Sequence, residues 1–190
     1  LLDKAHGYRS VVALDGATVL CNGGPEASEG VAWAVPAAGG EPRALGSAKG
    51  HLFEVRAAGS GYALLADMSL QAWPRYTVQG NDGKRVDVAS TYGIPAALPQ
   101  VRAMLLGPEQ VRAFLITPKN AKPGEKLPVI DAAYGGPHVN LAVANALSFV
   151  RAQWMADAVH ALVVVLDAGG TPNRGRDYER PLYGKLGALP

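Results

Sequence analysis

At 190 residues the chain is long enough for one domain or two small ones, and with 48% hydrophobic and 18% charged residues its composition is that of a globular protein. The net charge is +2 and the 18 lysines and arginines are scattered, so no basic face exists of the kind nucleic acid requires, and no nucleic-acid partner is expected. The single cysteine, Cys21, excludes an internal disulfide framework, and no apolar run approaches the roughly 18 residues that suggest a membrane span.

The chain opens on Leu1-Leu2-Asp3, with no charged segment leading into an apolar core, so no signal peptide is visible. It is expected to be part of something longer. Residues 9–90 then carry an internal repeat. Short β-like runs fall at 9–14, 17–22, 31–36 and 41–45, and again at 51–56, 62–67, 75–79 and 85–89. The second set follows the first by about 42 to 45 residues, close to the four-stranded blade period of a β-propeller. Turn residues support the register: Asp15-Gly16 and Gly59-Ser60-Gly61 separate the first two strands of each set, and Gly39-Gly40 and Asp82-Gly83 the last two. An all-β sandwich is the alternative, though a sandwich has no reason to keep one period. Two blades cannot close a ring that typically needs about four to eight.

Residues 91–100, with Pro95 and Pro99, change character and read as a linker, which puts a domain boundary near residue 95: residues 1–94 as propeller blades and 95–190 as a second unit. Residues 101–106 and 110–117 look like two strands joined by Gly107-Pro108-Glu109. The stretch from Lys126 to Gly187 organises the rest. A valine- and leucine-rich strand leads to Tyr134-Gly-Gly-Pro-His138. A helix is expected over 142–159, with Val143, Leu147, Val150, Trp154 and Ala158 at three- and four-residue steps. A second strand then leads to Asp167-Ala-Gly-Gly-Thr-Pro172. Uninterrupted apolar runs read as strands buried on both faces of a parallel sheet, and the β–α–β order argues an α/β fold with a right-handed crossover. Ligands bind at the carboxyl ends of such strands, so chemistry is expected at Tyr134 and beyond.

These residues resemble a known family. Tyr134-Gly-Gly-Pro-His138, Gly170-Thr-Pro-Asn-Arg-Gly175 and Tyr183-Gly-Lys-Leu-Gly187, following a propeller, are similar to the prolyl oligopeptidase family of serine peptidases, dipeptidyl peptidase IV branch. The strong resemblance covers roughly residues 109–187. It implies a closed propeller capping an α/β-hydrolase domain. This chain would be the last two blades plus the start of the catalytic domain, taken from a serine exopeptidase that releases dipeptides from peptide N-termini after Pro or Ala. It implies a peptide substrate, no cofactor, and a periplasmic or secreted setting. The family's nucleophile sits in Gly-x-Ser-x-Gly, and none of Ser10, Ser28, Ser47, Ser60, Ser69, Ser90 or Ser148 has that frame. Catalytic Ser, Asp and His are expected outside the chain, which should be inactive alone. An inactive homologue, a propeller-type binding module, and a related acylaminoacyl peptidase or oligopeptidase are the alternatives.

Tyr134 is the one candidate catalytic residue. Acyl transfer builds charge on a carbonyl oxygen, and preorganised donors aimed at it are worth about 3 to 4 kcal/mol each. A hydrolase fold takes one donor from the loop after its third strand, Tyr134 ends the third strand counted here, and the resemblance implies that its hydroxyl is that oxyanion donor. A tyrosine that covers the sheet end is the structural alternative. Gly135, Gly136 and Pro137 are expected to shape the loop. His138 has no second ligand at metal spacing, and His6, His51 and His160 are scattered, so no metal is expected. Asp167 is expected to be a turn-former capping backbone N–H groups of the glycine loop rather than a general base. Where the family carries Arg two residues after this Asp, this chain has Gly169. Asp131 stands inside a run that should be apolar. Gly169-Gly170-Thr171 matches neither a P-loop nor a dinucleotide loop, since Pro172 follows. Unpaired strand edges predict self-association or pairing with the remainder of a parent chain.

Overall fold

The computed structural model describes residues 2, 4–91, 93–108, 110–134 and 138–185. Eight strands come first: β1 (Tyr8–Asp15), β2 (Thr18–Gly23), β3 (Val31–Pro36), β4 (Arg43–Gly46), β5 (His51–Gly59), β6 (Tyr62–Ser69), β7 (Arg75–Gly80) and β8 (Arg85–Val88). They make two four-stranded sheets in the orders β1-β2-β3-β4 and β5-β6-β7-β8, antiparallel throughout. Each sheet is a meander of consecutive strands with no exchange between sheets, which is how a propeller is built and a sandwich is not. The hairpins close where the glycines demand it: Gly16 at φ 57° between β1 and β2, and Ser60-Gly61 at φ 53° and 82° between β5 and β6.

The blades pack through Leu20, Ala32, Ala34 and Leu45 of the first against Val55, Ala63 and Leu65 of the second. Polar bonds fix their relative register. Gly30 N–H donates to the His51 carbonyl at 3.0 Å and Phe53 N–H to the Gly30 carbonyl at 3.1 Å. Gly61 N–H donates to Asp15 Oδ2 at 2.7 Å, and Arg85 donates to the Leu45 carbonyl.

The third sheet has the order β11-β12-β10-β9, from β9 (Val101–Leu106), β10 (Val111–Ile116), β11 (Val129–Asp131) and β12 (Leu162–Leu166). β9, β10 and β12 are antiparallel neighbours, while β11 and β12 run parallel, joined by helix α1 (Val150–Val159). The expected β–α–β unit is present. β11 is shorter than the apolar run over 127–134 and lies at the sheet edge with Val129 62% exposed. It is therefore not buried on both faces as its composition suggests: Ile130 packs on the core that holds Phe149 and Ala152, while the opposite face, with Val129 and Asp131, is left open among the described residues.

Helix α1 also departs from expectation. The helical run starts at Ala146 as a short 3-10 turn, not at Ala142, and Asn145 caps it with Oδ1 accepting from Leu147 N–H at 3.0 Å. The preceding residues are not helical because their backbone is folded into tight turns, Val143 N–H donating to the Leu141 carbonyl at 3.0 Å and Asn145 N–H to the Val143 carbonyl at 2.8 Å. The face turned to the sheet carries Ala146, Phe149, Ala152, Gln153 and Ala156, whereas Leu147 and Trp154 stand 52% and 68% exposed. Small residues let the helix approach closely, and Phe149 fills the remaining space against Phe114, ring centroids 5.1 Å apart. Gln153 pins the helix: Oε1 accepts from Gln100 N–H at 2.6 Å, and Nε2 donates to the Thr117 carbonyl at 3.0 Å.

The blades and the third sheet meet at the 24–30 loop and the segment before α1. Arg112 on β10 pairs with Glu26 at 3.1 Å, Ala144 N–H donates to the Ser28 carbonyl at 2.7 Å, and Ala144 packs with Leu52, Ala66 and Met68 of the second blade. No helix among the described residues is long and apolar enough to cross a membrane.

Candidate functional site

The parallel pairing of β11 and β12 extends beyond the strands themselves. Ala132 N–H donates to the Val164 carbonyl at 2.8 Å and Tyr134 N–H to the Leu166 carbonyl at 3.1 Å, and the Tyr134 carbonyl accepts from Ala168 N–H at 2.8 Å. Tyr134 and Asp167 are thus bridged side by side at the carboxyl end of the sheet. The Tyr134 side chain is half-buried. Asp131 is accounted for by its place at the end of the edge strand, where it is exposed and its carboxylate accepts from Ala133 N–H at 3.0 Å.

Asp167 is 6% exposed, and its carboxylate is filled by donors. Oδ1 accepts from Leu141 N–H at 2.8 Å; Oδ2 accepts from Ala142 N–H and from Asn140 Nδ2, both at 3.1 Å. It caps backbone N–H groups, as expected, but those of the segment after His138 and not those of Gly169 and Gly170. The reason is topological: the parallel neighbour brings that segment across the strand end, while the chain after Asp167 turns away. Asn140 also donates to the Pro172 carbonyl at 3.0 Å and accepts from Asn173 Nδ2 at 2.8 Å. The loops following the two parallel strands are clasped together through these groups.

The turn after Asp167 is held by its own packing. Thr171 is fully buried, its hydroxyl donating to the Ala168 carbonyl at 3.1 Å. Gly170, at φ 84°, lies so close to Leu182 that a Cβ would stand 1.8 Å from Cδ1. Asn173 N–H donates to Glu179 in the one-turn helix α2 (Arg176–Glu179) at 3.1 Å, and Arg174 lies 4.0 Å above the Tyr178 ring. Gly169 sits in this turn, half-buried.

A cleft of about 900 Å³ separates Gly7, Arg9 and Pro25 of the first blade from Asn173, Arg174 and Arg180. Tyr134 is not among its lining residues. Arg9 donates to the Glu26 and Glu29 carbonyls, and burial pushes its guanidinium below its ordinary pKa, opposed by the charge of Glu54.

Gly135, Gly136 and Pro137 lie outside the described residues, as do residues 186 and 187 of the Tyr183 motif. His138 is exposed. The structure sends the other histidines to separate places: His6 edge-on to Trp33 at 5.0 Å, His51 to Asp67 at 2.6 Å, and His160 to Glu125 at 2.8 Å. Among the described residues no group of three or more His, Cys, Asp or Glu is placed to hold a metal. Asn140 and Asn173 join the site without having been singled out from the sequence. Their signal was their position directly beside the two glycine-bearing motifs, where Asn is favoured for local bonds to backbone.

No protein-family model matches the chain. Solved structures do. Dipeptidyl peptidase 4 of Porphyromonas gingivalis superposes with a TM-score of 0.76 at 18% identity over 96% of this chain and 27% of its own. Oligopeptidase B of Trypanosoma brucei gives a TM-score of 0.67 at 14% identity over 95% of this chain and 27% of its own. A puromycin-hydrolyzing peptidase of Mycobacterium tuberculosis gives 0.64 at 17% identity over 90% of this chain and 27% of its own. The chain spans about a quarter of the length of the structures it matches. Its fold, two propeller-type blades running on into a mixed sheet with a parallel β–α–β unit, is the fold that dipeptidyl peptidase 4 and oligopeptidase B have over this stretch, as the resemblance at Tyr-Gly-Gly-Pro-His implied.

Proposed function

We propose that this chain is the propeller-to-catalytic-domain portion of a serine exopeptidase that releases dipeptides from peptide N-termini, with residues 1–94 and 95–190 as parts of its two domains. In this reading the Tyr134 hydroxyl donates to the oxyanion of the acyl-transfer intermediates. The supporting observation is the bridge between Tyr134 and Asp167 at the carboxyl end of two parallel strands, where an α/β sheet presents its chemistry. A phenol is a suitable donor there, since its O–H is carried on a rigid ring. The nucleophile, its base and the base's carboxylate come from outside these residues, since no serine here stands in Gly-x-Ser-x-Gly.

The edge position of β11 and the exposed apolar side chains of Leu147, Trp154 and Val159 support pairing with the remainder of the protein. Left alone, the 190-residue chain would bury that apolar surface by self-association.

The test is steady-state hydrolysis by the full-length protein of a Pro-terminated dipeptide amide with a free N-terminus. Turnover is expected, and Tyr134→Phe should lower kcat by about 100-fold with KM little changed. Unchanged kcat in that variant would remove Tyr134 from the mechanism. The likeness to oligopeptidase B, whose structure holds covalently bound antipain, favours an internal-cleaving peptidase as the second reading. Turnover of N-blocked peptides with none of the free dipeptide amide would select it.

A further inference from the structure

Resting on the peptidase reading, we propose that the cleft between the first blade and the turn after β12 is a second binding site. It takes a carboxylate of the substrate peptide, on the leaving side of the scissile bond, through Arg176 and Arg180. Both arginines line the cleft and are exposed, and neither guanidinium is held in an ion pair among the described residues. Arg9 lines the same cleft from β1 and donates to the Glu26 and Glu29 carbonyls, so dipoles surround its charge and no carboxylate in contact cancels it. A fourth arginine, Arg174, lies over the Tyr178 ring. Against these stand Asp177 and Glu179, and Glu179 is engaged by the Asn173 N–H at 3.1 Å. That balance suits a carboxylate, because a phosphate would meet Asp177 and Glu179 with nearly twice the charge. Arginine also matches the planar carboxylate fork.

Both walls are formed in advance. Asn173 is held in the left-handed region at φ 70°, with its Nδ2 donating to Asn140 at 2.8 Å and its N–H to Glu179. A non-glycine residue keeps that conformation only where its surroundings enforce it. On the opposite wall, Gly7 lies so close to Gly24 that a Cβ would stand 2.1 Å from the Gly24 carbonyl oxygen. A ligand therefore has little protein to order when it binds. The volume of about 900 Å³ exceeds the needs of a single ion and lies within the range of about 300–1,000 Å³ that holds larger organic ligands. The cleft is also beside the sheet end: Asn140 ties Asp167, the bridge partner of Tyr134, to Pro172 and Asn173 on the cleft wall. An enzyme that removes two residues keeps the rest of its substrate on the leaving side, so a longer contact comes from there.

The experiment uses the full-length protein and peptides that begin with one Pro-terminated dipeptide. Each continues in a neutral amidated tail carrying two glutamates, two glutamines or two lysines at successive distances from the scissile bond. At the best spacing the glutamate peptide should have a KM about 10-fold below that of the glutamine peptide, with the lysine peptide no better than glutamine. The advantage should shrink as salt rises. In Arg176→Gln/Arg180→Gln the ratio of the two KM values should approach one, and Arg180→Gln alone should reduce it. Equal KM values for glutamate and glutamine at every spacing, or an advantage that survives the double variant, would overturn the proposal. A neutral tail ending in a free carboxylate tells whether the chain terminus serves as the side chains do, and either source sustains the site. If no peptide is turned over, the peptidase reading falls, and fluorescence anisotropy of the labelled glutamate peptide judges the cleft alone. Saturable binding that is lost in the double variant sustains it, and binding no tighter than that of the glutamine peptide overturns it.

Discussion

The side-chain amide of Asn22 exchanges two hydrogen bonds with the backbone of Val55 across the seam between the blades. Its Nδ2 donates to the Val55 carbonyl at 3.1 Å, and its Oδ1 accepts from the Val55 N–H at 2.7 Å. The pair sits on β5, an edge strand of its sheet, beside the register shift between Val55 and Ala57, and the neighbouring blade supplies the partners for backbone groups on that edge. Val55 is 2% exposed, which keeps water from substituting.

Asn22→Ala should therefore cost about 2 to 3 kcal/mol, since two buried backbone groups lose their partners together. Urea unfolding of the full-length protein would show it as a lower midpoint for the propeller transition. An unchanged midpoint would mean that the seam is wet.

Gly170→Ala should destabilise by more than the roughly 1 to 2 kcal/mol that a left-handed backbone costs an L-residue. The new methyl would also occupy the position of the Leu182 side chain, 1.8 Å from Cδ1. Adding Leu182→Ala should recover the steric part and leave the conformational part. Thermal melts of the single and double variants separate the two, and a double variant no better than Gly170→Ala would refute the contact.

The Cys21 thiol is 1% exposed, and burial pushes its pKa up. A thiol that holds its proton more tightly folded than unfolded adds stability that is full below the ordinary value of about 8.5 and is lost as pH rises through the folded value. Stability should fall less steeply above pH about 8.5 in Cys21→Ala than in the parent. Labelling by a thiol reagent should be slow in the folded protein and fast in denaturant; fast labelling of folded protein would contradict the burial.

Glu125 fastens the turn after β10. Its Oε2 accepts from the Lys122 N–H and its Oε1 meets His160 Nε2, each at 2.8 Å. The Lys122 bond first, and His160 second, hold this exposed carboxyl below the usual carboxylate range. The contribution is present above about pH 4.3, the unfolded value, and disappears as pH falls through the folded one. Amides of residues 119–126 should lose hydrogen-exchange protection on acidification, and Glu125→Gln should remove that pH dependence. Identical pH profiles in the two proteins would count against the fastening.

Much of the fold was legible in the residues because it is local. Alternating apolar runs and the Gly16 and Gly61 turns located all eight blade strands, and the runs 31–36 and 101–106 match β3 and β9 end to end. The helix starts later than its composition suggests, although Asn145 is the kind of residue that caps one, because nothing in the residues tells that 141–145 fold into tight turns, with Val143 N–H on the Leu141 carbonyl and Asn145 N–H on the Val143 carbonyl. Its inner face was also hidden: Leu147 and Trp154 look like core and point outward, while the alanine row lies inside.

Sequence alone determined the blade period, the hairpins, the β–α–β order and the placing of Tyr134 at a strand end, since each follows from the order of short apolar runs and turn residues along the chain. Only the tertiary structure decided which helix face met the sheet, that β11 would be an edge, and that the Asp167 carboxylate would bond to Asn140, Leu141 and Ala142. Those outcomes depend on which distant residues share a layer, and short-range periodicity carries no record of that.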